Sequence, residues 1–136
     1  MRQKLACILL IDDNEADNFF HEMVIKEYDC TDKIEAVTKA ENGLAYLKDQ
    51  THTDYVRPDL IFLDINMPGM NGWEFLKSYE SLEASQKSKI VIVMLTTSVN
   101  TRDVEQASHT AIIDEFRNKP LTADCLEEIM QKYFAA

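Results

Sequence analysis

The segment Asp59-Leu60-Ile61-Phe62-Leu63-Asp64-Ile65-Asn66-Met67-Pro68-Gly69-Met70-Asn71-Gly72 decides the fold. Its apolar run, residues 60–63, shows no polar alternation. That is the pattern of a strand buried on both faces, as at the centre of a parallel sheet. The run stops at a carboxylate, Asp64, and a turn rich in Pro, Gly and Asn follows. Asp64 thereby falls at the carboxyl end of a central strand, where open α/β sheets place their ligands. A carboxylate that merely caps the turn accounts for this segment, taken alone, equally well.

Two more runs have the same form. Residues 5–11 are apolar throughout and end at Asp12-Asp13, and residues 90–95 are apolar and end at Thr96-Thr97-Ser98. After the first run, Asn14-Glu15-Ala16-Asp17 opens a helix. Its Phe19, Phe20, Met23, Val24 and Tyr28 recur at spacings of three and four and predict an inward face. One of Asp12, Asp13 and Asn14 is expected to cap that helix. A cap uses one side chain, so the doublet leaves a carboxylate over. Residues 33–38 alternate polar and apolar, as a half-exposed edge strand does. A short helix over 40–47 turns Leu44 and Leu47 inward, and 49–57 is a polar surface loop that includes His52.

Beyond the Asp64 turn, Trp73, Phe75, Leu76, Tyr79 and Leu82 mark a third helix, followed by a polar linker over 83–89. A helix over 101–108 has a weak apolar face, Val104 and Ala107. A fifth strand is expected over 111–116, ahead of Lys119-Pro120, and Leu121, Leu126, Ile129, Met130 and Tyr133 make a last amphipathic helix. His21 and His109 are assigned to the surface. Five strands and five helices, strictly interleaved, imply an α/β fold with a five-stranded parallel sheet and helices on both faces. Every strand then ends at the same rim, which gathers Asp12, Asp13, Asp64, Thr96 and Lys119.

At 136 residues, with no repeat and no Pro/Gly-rich linker, the chain reads as a single domain over 1–136 with no output domain attached. Acidic residues outnumber basic ones 24 to 14, for a net charge of −10, which argues against nucleic acid or anionic membrane as a non-specific partner. The three cysteines, Cys7, Cys30 and Cys125, fit neither a disulfide framework nor a zinc spacing and favour a reducing cytoplasmic setting. Met1-Arg2-Gln3-Lys4 and the apolar residues after it mimic a signal peptide but run into Asp12-Asp13 instead of a cleavage site. No apolar run approaches the roughly 20 residues that span a bilayer, so no membrane insertion is expected.

Carboxylates crowded at one rim raise one another's pKa unless a counter-charge is present. A hard divalent cation with oxygen ligands resolves the repulsion. Mg²⁺ suits one or two carboxylates, a backbone carbonyl such as that of Asn66, waters and a phosphate oxygen. Lys119 adds a second positive charge and Thr96 a hydroxyl donor. Together these are what a phosphoryl group needs around its oxygens during transfer. The nucleophile in such a site is a carboxylate, and the product an acyl phosphate.

Asp12-Asp13 after strand one, Asp64 in Leu-Asp-Ile-Asn-Met-Pro-Gly-Met-Asn-Gly, Thr96 after strand four and Lys119-Pro120 after strand five resemble, in order and over essentially the whole chain, the receiver domains of bacterial response regulators. That resemblance implies a flavodoxin-like doubly wound fold with strand order 2-1-3-4-5. It implies that Asp64 accepts a phosphoryl group from a histidine kinase or phosphotransfer protein, without the chain being an enzyme in its own right. It further implies Mg²⁺ bound by Asp12, Asp13, Asp64 and the Asn66 carbonyl, with Thr96 and Lys119 on the phosphoryl group. Phe116 matches the family's switch aromatic, working with Thr96, and Lys119-Pro120 matches a peptide bond that is cis in the family. Asn66 and Ser98, each two residues beyond a strand-end group, are expected to set the phosphate lifetime by gating the attacking water. The signal would leave through a protein partner. The chain departs from the family at 109–112, where Gly-Ala is common, and in the polar run Asp114-Glu115-Phe116-Arg117. Two alternatives keep a related fold. A haloacid-dehalogenase-type phosphatase needs an acid two positions after its nucleophile, where this chain has Asn66. A non-phosphorylated interaction module needs none of the conspicuous acids.

Overall fold

The computed structural model describes residues 4–49, 51, 55–87, 90–97 and 101–134. Five strands, β1 Leu5–Ile11, β2 Thr31–Val37, β3 Leu60–Leu63, β4 Val91–Thr96 and β5 Glu115–Asn118, form one sheet in the order β2-β1-β3-β4-β5. All four pairings are parallel, and the register runs Ile11↔Leu63, Leu63↔Met94 and Met94↔Phe116 across the middle. The apolar runs account for this order. Every residue of β3 is buried, as are all but Ala6 of β1 and all but Val91 of β4, so these three need cover on both faces. The less apolar β2 and β5 take the edges.

The helices are α1 Glu15–Tyr28, α2 Ala40–Lys48, α3 Gly72–Glu80, α4 Ala84–Lys87, α5 Thr101–Ser108 and α6 Ala123–Tyr133. Their inward residues divide into two cores, one on each face of the sheet. Leu44, Leu47, Phe75 and Leu76 of α2 and α3 pack with Leu9, Ile11, Ile61 and Met94. Ile25 of α1 and Leu126, Ile129 and Met130 of α6 pack with Leu10, Phe62, Val93 and Leu95. Successive strand residues thus feed opposite cores, as the period of two demands.

Four expectations are corrected. The Phe19, Phe20 and Met23 side of α1 does not face inward: these residues are 63%, 45% and 51% exposed, and Asn18, His21 and Ile25 are buried instead. The cause is polar. Asn18 Nδ2 donates to the carbonyls of Asp12 (3.0 Å) and Val37 (3.3 Å), and these bonds set the rotation of the helix. His21 is therefore in the interior and not on the surface. The fifth strand begins at Glu115, not at 111. Turn hydrogen bonds carry on through Ile113 N–H to Thr110; the Asp114 N–H does reach the Ile92 carbonyl, but its carboxylate takes the Ile92 N–H in place of a main-chain carbonyl, so the regular ladder starts at Glu115. Finally, the linker after α3 contains the single turn α4, where Glu83 N–H donates to Gln86 Oε1 and Gln86 N–H to the Glu83 carbonyl. The described residues hold six helices, one more than expected. The weak apolar face of α5 is as expected: none of its residues is buried.

Local chemistry starts the helices. Asn14 caps α1 by accepting from Asp17 N–H, Asn71 and Glu74 form a reciprocal capping box on α3, and Thr122 caps α6. Gly69 takes a φ of 74° in the turn after Asp64. Gly72 opens α3 directly against the strand end. A Cβ there would stand 2.5 Å from the Asp64 carbonyl oxygen and 2.9 Å from Ile65 Cα, both backbone atoms that cannot yield by rotating. Gly72→Ala is therefore expected to cost about 2–3 kcal/mol through overpacking. In urea the midpoint should fall with the slope unchanged. A change within about 0.5 kcal/mol would mean that the strand end and α3 can move apart freely.

Candidate functional site

Because the sheet is parallel, the carboxyl ends of β1, β3, β4 and β5 share one rim, and the residues just past them meet there. Asp12 and Asp64 are buried, with 4% and 6% of their surface exposed, while Asp13 beside them is exposed. One carboxylate oxygen from each of the three lies within 4.8 Å of the others. Thr96, the last residue of β4, is fully buried, and its carbonyl accepts the Lys119 N–H. The Lys119–Pro120 peptide bond is cis.

The Lys119 ammonium lies 2.5 Å from Asp12 Oδ2, 2.9 Å from Asp17 Oδ2 and 3.7 Å from Asp64 Oδ1. Asp12 Oδ1 is also occupied, accepting the Asn14 N–H at 3.0 Å. Burial alone would lower the Lys119 pKa, but hydrogen bonds to Asp12 and Asp17 and the charges of Asp12 and Asp64 raise it. Lys119 therefore stays charged. Burial pushes the Asp64 carboxyl up to about 6, the Asp12 charge adds to the rise, and Lys119 opposes it without cancelling it. One ammonium does not neutralise the carboxylates around it.

Behind the acids a void of only about 10 Å³ is lined by Asp12, Asn18, His21 and Asp64, among others. Asn18 Oδ1 is buried there without a hydrogen-bond partner. Burial, then Lys119, lowers the His21 pKa against the pull of Asp12 and Asp17, which favours a neutral ring. Among the described residues, then, this void is too small to enclose a substrate. The site suits chemistry on a group carried in by another molecule better than enclosure of a small substrate.

Of the residues singled out in the sequence, Asp12, Asp13, Asp64 and Lys119 come together, and Thr96 shares their rim. Asn66 is exposed, two residues beyond Asp64. Phe116 is half-buried on β5, paired with Met94 and packed against the α2–α3 core. Ser98 lies outside the described residues. Sequence reading missed Asp17, Asn18 and His21. The available signal is a polar pair three residues apart, Asn18 and His21, shortly after an acidic doublet, which places both on one face of α1 toward the strand ends.

A family model of the response regulator receiver domain matches residues 8–131. The chain belongs to this family. Receiver domains of two-component response regulators are signalling modules, and this one carries their acidic cluster. Hybrid signal transduction histidine kinases L and C of Dictyostelium discoideum are each 26% identical to it, over 95% and 93% of this chain. The chain spans only 7% and 10% of the lengths of those two proteins. The chemotaxis protein CheY of Listeria monocytogenes is 29% identical over 92% of this chain and 95% of its own length. A solved two-component response regulator from Cytophaga hutchinsonii superposes with a TM-score of 0.86 at 30% identity, covering 96% of this chain and 98% of that one. Among the described residues no helix is long and apolar enough to cross a membrane.

Receiver domains typically use Mg²⁺ at an acidic cluster, and the residues present fit that ion. The donors are hard carboxylate oxygens, close together, and two of the three residues are buried; burial, with the Asp12 charge adding to it, raises the Asp64 pKa, and a bound cation would offset both.

The same raised pKa has a consequence for stability. Between pH 3.8 and about 6 the folded chain holds a proton on Asp64 that the unfolded chain has released. Stability contributed at this site is therefore present at low pH and lost as pH rises through that window, by up to about 3 kcal/mol. In metal-free buffer at pH 7.5, Asp64→Asn should be more stable than wild type by about 1–3 kcal/mol, and the gain should shrink toward zero near pH 4. Denaturant titrations across that range check it. A pH-independent difference would show that Asp64 is not electrostatically strained.

Proposed function

We propose that the chain is a phosphoacceptor in which Asp64 takes a phosphoryl group from a histidine kinase or a phosphotransfer protein. The observation that carries this reading is the convergence of the Asp12, Asp13 and Asp64 oxygens within 4.8 Å, with the Lys119 ammonium 3.7 Å from Asp64. A carboxylate oxygen of Asp64 attacks the phosphorus of the donor's phosphohistidine. The P–N bond breaks as the P–O bond forms, and the imidazole leaves with a proton. The transferred group brings oxygens that need positive partners; Lys119 supplies one and the Thr96 hydroxyl a hydrogen bond. Asp12, Asp13, Asp64 and the Asn66 carbonyl would hold Mg²⁺, whose charge offsets that of the carboxylates and of the phosphoryl oxygens. A void too small to enclose a substrate, and Asn66 where a phosphatase of the haloacid-dehalogenase type needs an acid, favour transfer from a protein donor over hydrolysis of a free substrate.

In this reading the chain acts only on its own phosphoryl group and is not an enzyme toward other molecules, and donor and receiver meet in the cytoplasm. The exposed Phe19, Phe20 and Met23 lie on α1, whose first turn reaches the rim through Asp17, and offer the donor an apolar contact area. The signal leaves through a protein partner. A groove of about 500 Å³ beside Phe116, lined also by Val104, Ala107 and Ile113 between α5 and β5, is the surface we assign to that partner. Thr96 and Lys119, drawn toward a new dianion at Asp64, would pull the ends of β4 and β5 inward and let Phe116 turn further into the core.

Incubation with acetyl phosphate and Mg²⁺ should add one phosphoryl group, labile to alkali and hydroxylamine, and Asp64→Asn should take none. Equal labelling of that variant would remove Asp64 as the acceptor. In a chase, a bulky or charged residue at the exposed Asn66 should change the half-life while shifting stability by less than about 0.5 kcal/mol. Ser98 shares this proposed role. An unchanged half-life would take Asn66 out of the site.

The switch is tested separately by NMR with beryllofluoride and Mg²⁺. Phe116 ring resonances should move together with those of Thr96 and Lys119. If only residues in contact with the ligand shift, Phe116 is a static strand residue.

A further inference from the structure

We propose that Asp17 is a positioning residue for this chemistry: it holds the Lys119 ammonium away from Asp64 and so opposes the phosphorylated state. The inference rests on the reading of Asp64 as phosphoacceptor. Asp17 occupies the third position of α1, where an acidic side chain ordinarily reaches back to the N-cap N–H. Here the Asn14 N–H is taken by Asp12 Oδ1 instead. The Asp17 carboxylate turns the other way and bonds Lys119 at 2.9 Å, across 102 residues of sequence. A helix-capping role for its side chain is therefore displaced by a contact with the site.

An ammonium has three N–H donors. Asp12 and Asp17 take one each at hydrogen-bonding distance, while Asp64 at 3.7 Å takes none. Asp12 is buried, whereas Asp17 keeps 37% of its side chain exposed and so holds Lys119 through a partly solvated contact. A phosphoryl group on Asp64 presents three new acceptor oxygens. Lys119 has one N–H to turn toward them, but it stands 3.7 Å from Asp64 and can close on the new oxygens only by lengthening a present contact, of which that with the part-exposed Asp17 is the weaker. The contact with Asp17 must loosen whenever the phosphorylated form is populated. Removing its charge then favours that form, and water readily satisfies what is left.

The test uses beryllofluoride at saturating Mg²⁺ as the probe, comparing wild type, Asp17→Asn and Glu15→Gln. Glu15 lies two residues away in the exposed first turn of the same helix, so its substitution removes the same charge without touching Lys119. Asp17→Asn should bind the probe about three- to fivefold more tightly, the scale of a partly screened ion pair, and its acyl phosphate should last correspondingly longer. Glu15→Gln should match wild type in both. A residue with only a structural role would not give a gain in affinity when removed. Affinity in Asp17→Asn that is equal to or weaker than wild type overturns the inference, and so does an equal gain in Glu15→Gln, which would reduce the effect to net charge. Wild-type protein that binds no beryllofluoride and takes no phosphoryl group would overturn the phosphoacceptor reading itself.

Discussion

One partly buried ammonium among several carboxylates governs the rim of this sheet. Lys119 keeps only 9% of its side chain exposed, and a lysine at that depth without partners would cost several kcal/mol. Asp12 from the end of β1 and Asp17 from α1 meet that need, and Asp64 from the end of β3 stands just outside bonding distance. The four groups come from points as far apart as 12 and 119 in sequence. Their meeting depends on strand ends aligned by a parallel ladder. The balance is nonetheless uneven: among the described residues Lys119 is the cation paired with these acids, and burial first, with the Asp12 charge adding to it, raises the pKa of Asp64. A site in this condition favours whatever brings positive charge to it, which is the property a Mg²⁺-dependent phosphoacceptor needs.

The rest of the fold can be understood as the frame for that imbalance. Strands that are apolar on both faces require helices above and below, which leaves the carboxyl edge as the one place where side chains of β1, β3, β4 and β5 gather without a covering layer. Gly72 fixes the distance between this edge and α3, since only a residue without a side chain fits against the Asp64 carbonyl. On the far side, the Trp73 indole N–H donates to Asp103 Oδ1 at 3.2 Å. That bond links the start of α3 to α5, a helix with no buried residue of its own. The element nearest the Phe116 groove is thus lightly held, as the switch proposed for that surface would require.

The architecture was legible because its signals are short-range and redundant. Three apolar runs, each ending in a carboxylate or hydroxyl, place the central strands and the rim without reference to one another. Asp12, Asp13, Asp64, Thr96 and Lys119 followed from topology, and the resemblance to receiver domains carried the same five. Errors arose where a long-range polar contact outweighs a local pattern. Nothing in the sequence near Asp114 says that its carboxylate will take a β4 N–H and delay the fifth strand to Glu115. Nothing near Asp17 shows that Lys119 will reach it. The single turn Ala84–Lys87 is too short to leave a periodicity.

The phase of α1 shows the competition most clearly. Apolar periodicity alone would turn Phe19, Phe20 and Met23 inward, each worth roughly 2 kcal/mol when buried. The folded chain leaves all three about half exposed or more and buries Asn18 and His21. Rotating the helix to hide the aromatic side would withdraw Asn18 from the Asp12 and Val37 carbonyls and Asp17 from Lys119. The Asp12 carbonyl and the Asn18 amide would then lose their bond, at about 1–3 kcal/mol for each group left unmet, and Lys119 would keep Asp12 but lose its second carboxylate. The two sums are of the same order, so the polar contacts set the observed phase without a wide margin. What separates them is that only the observed phase completes the rim, and it does so while presenting a contiguous apolar strip on the helix that begins there. The polar contacts that build the site and the exposure of Phe19, Phe20 and Met23 are therefore two results of a single rotation.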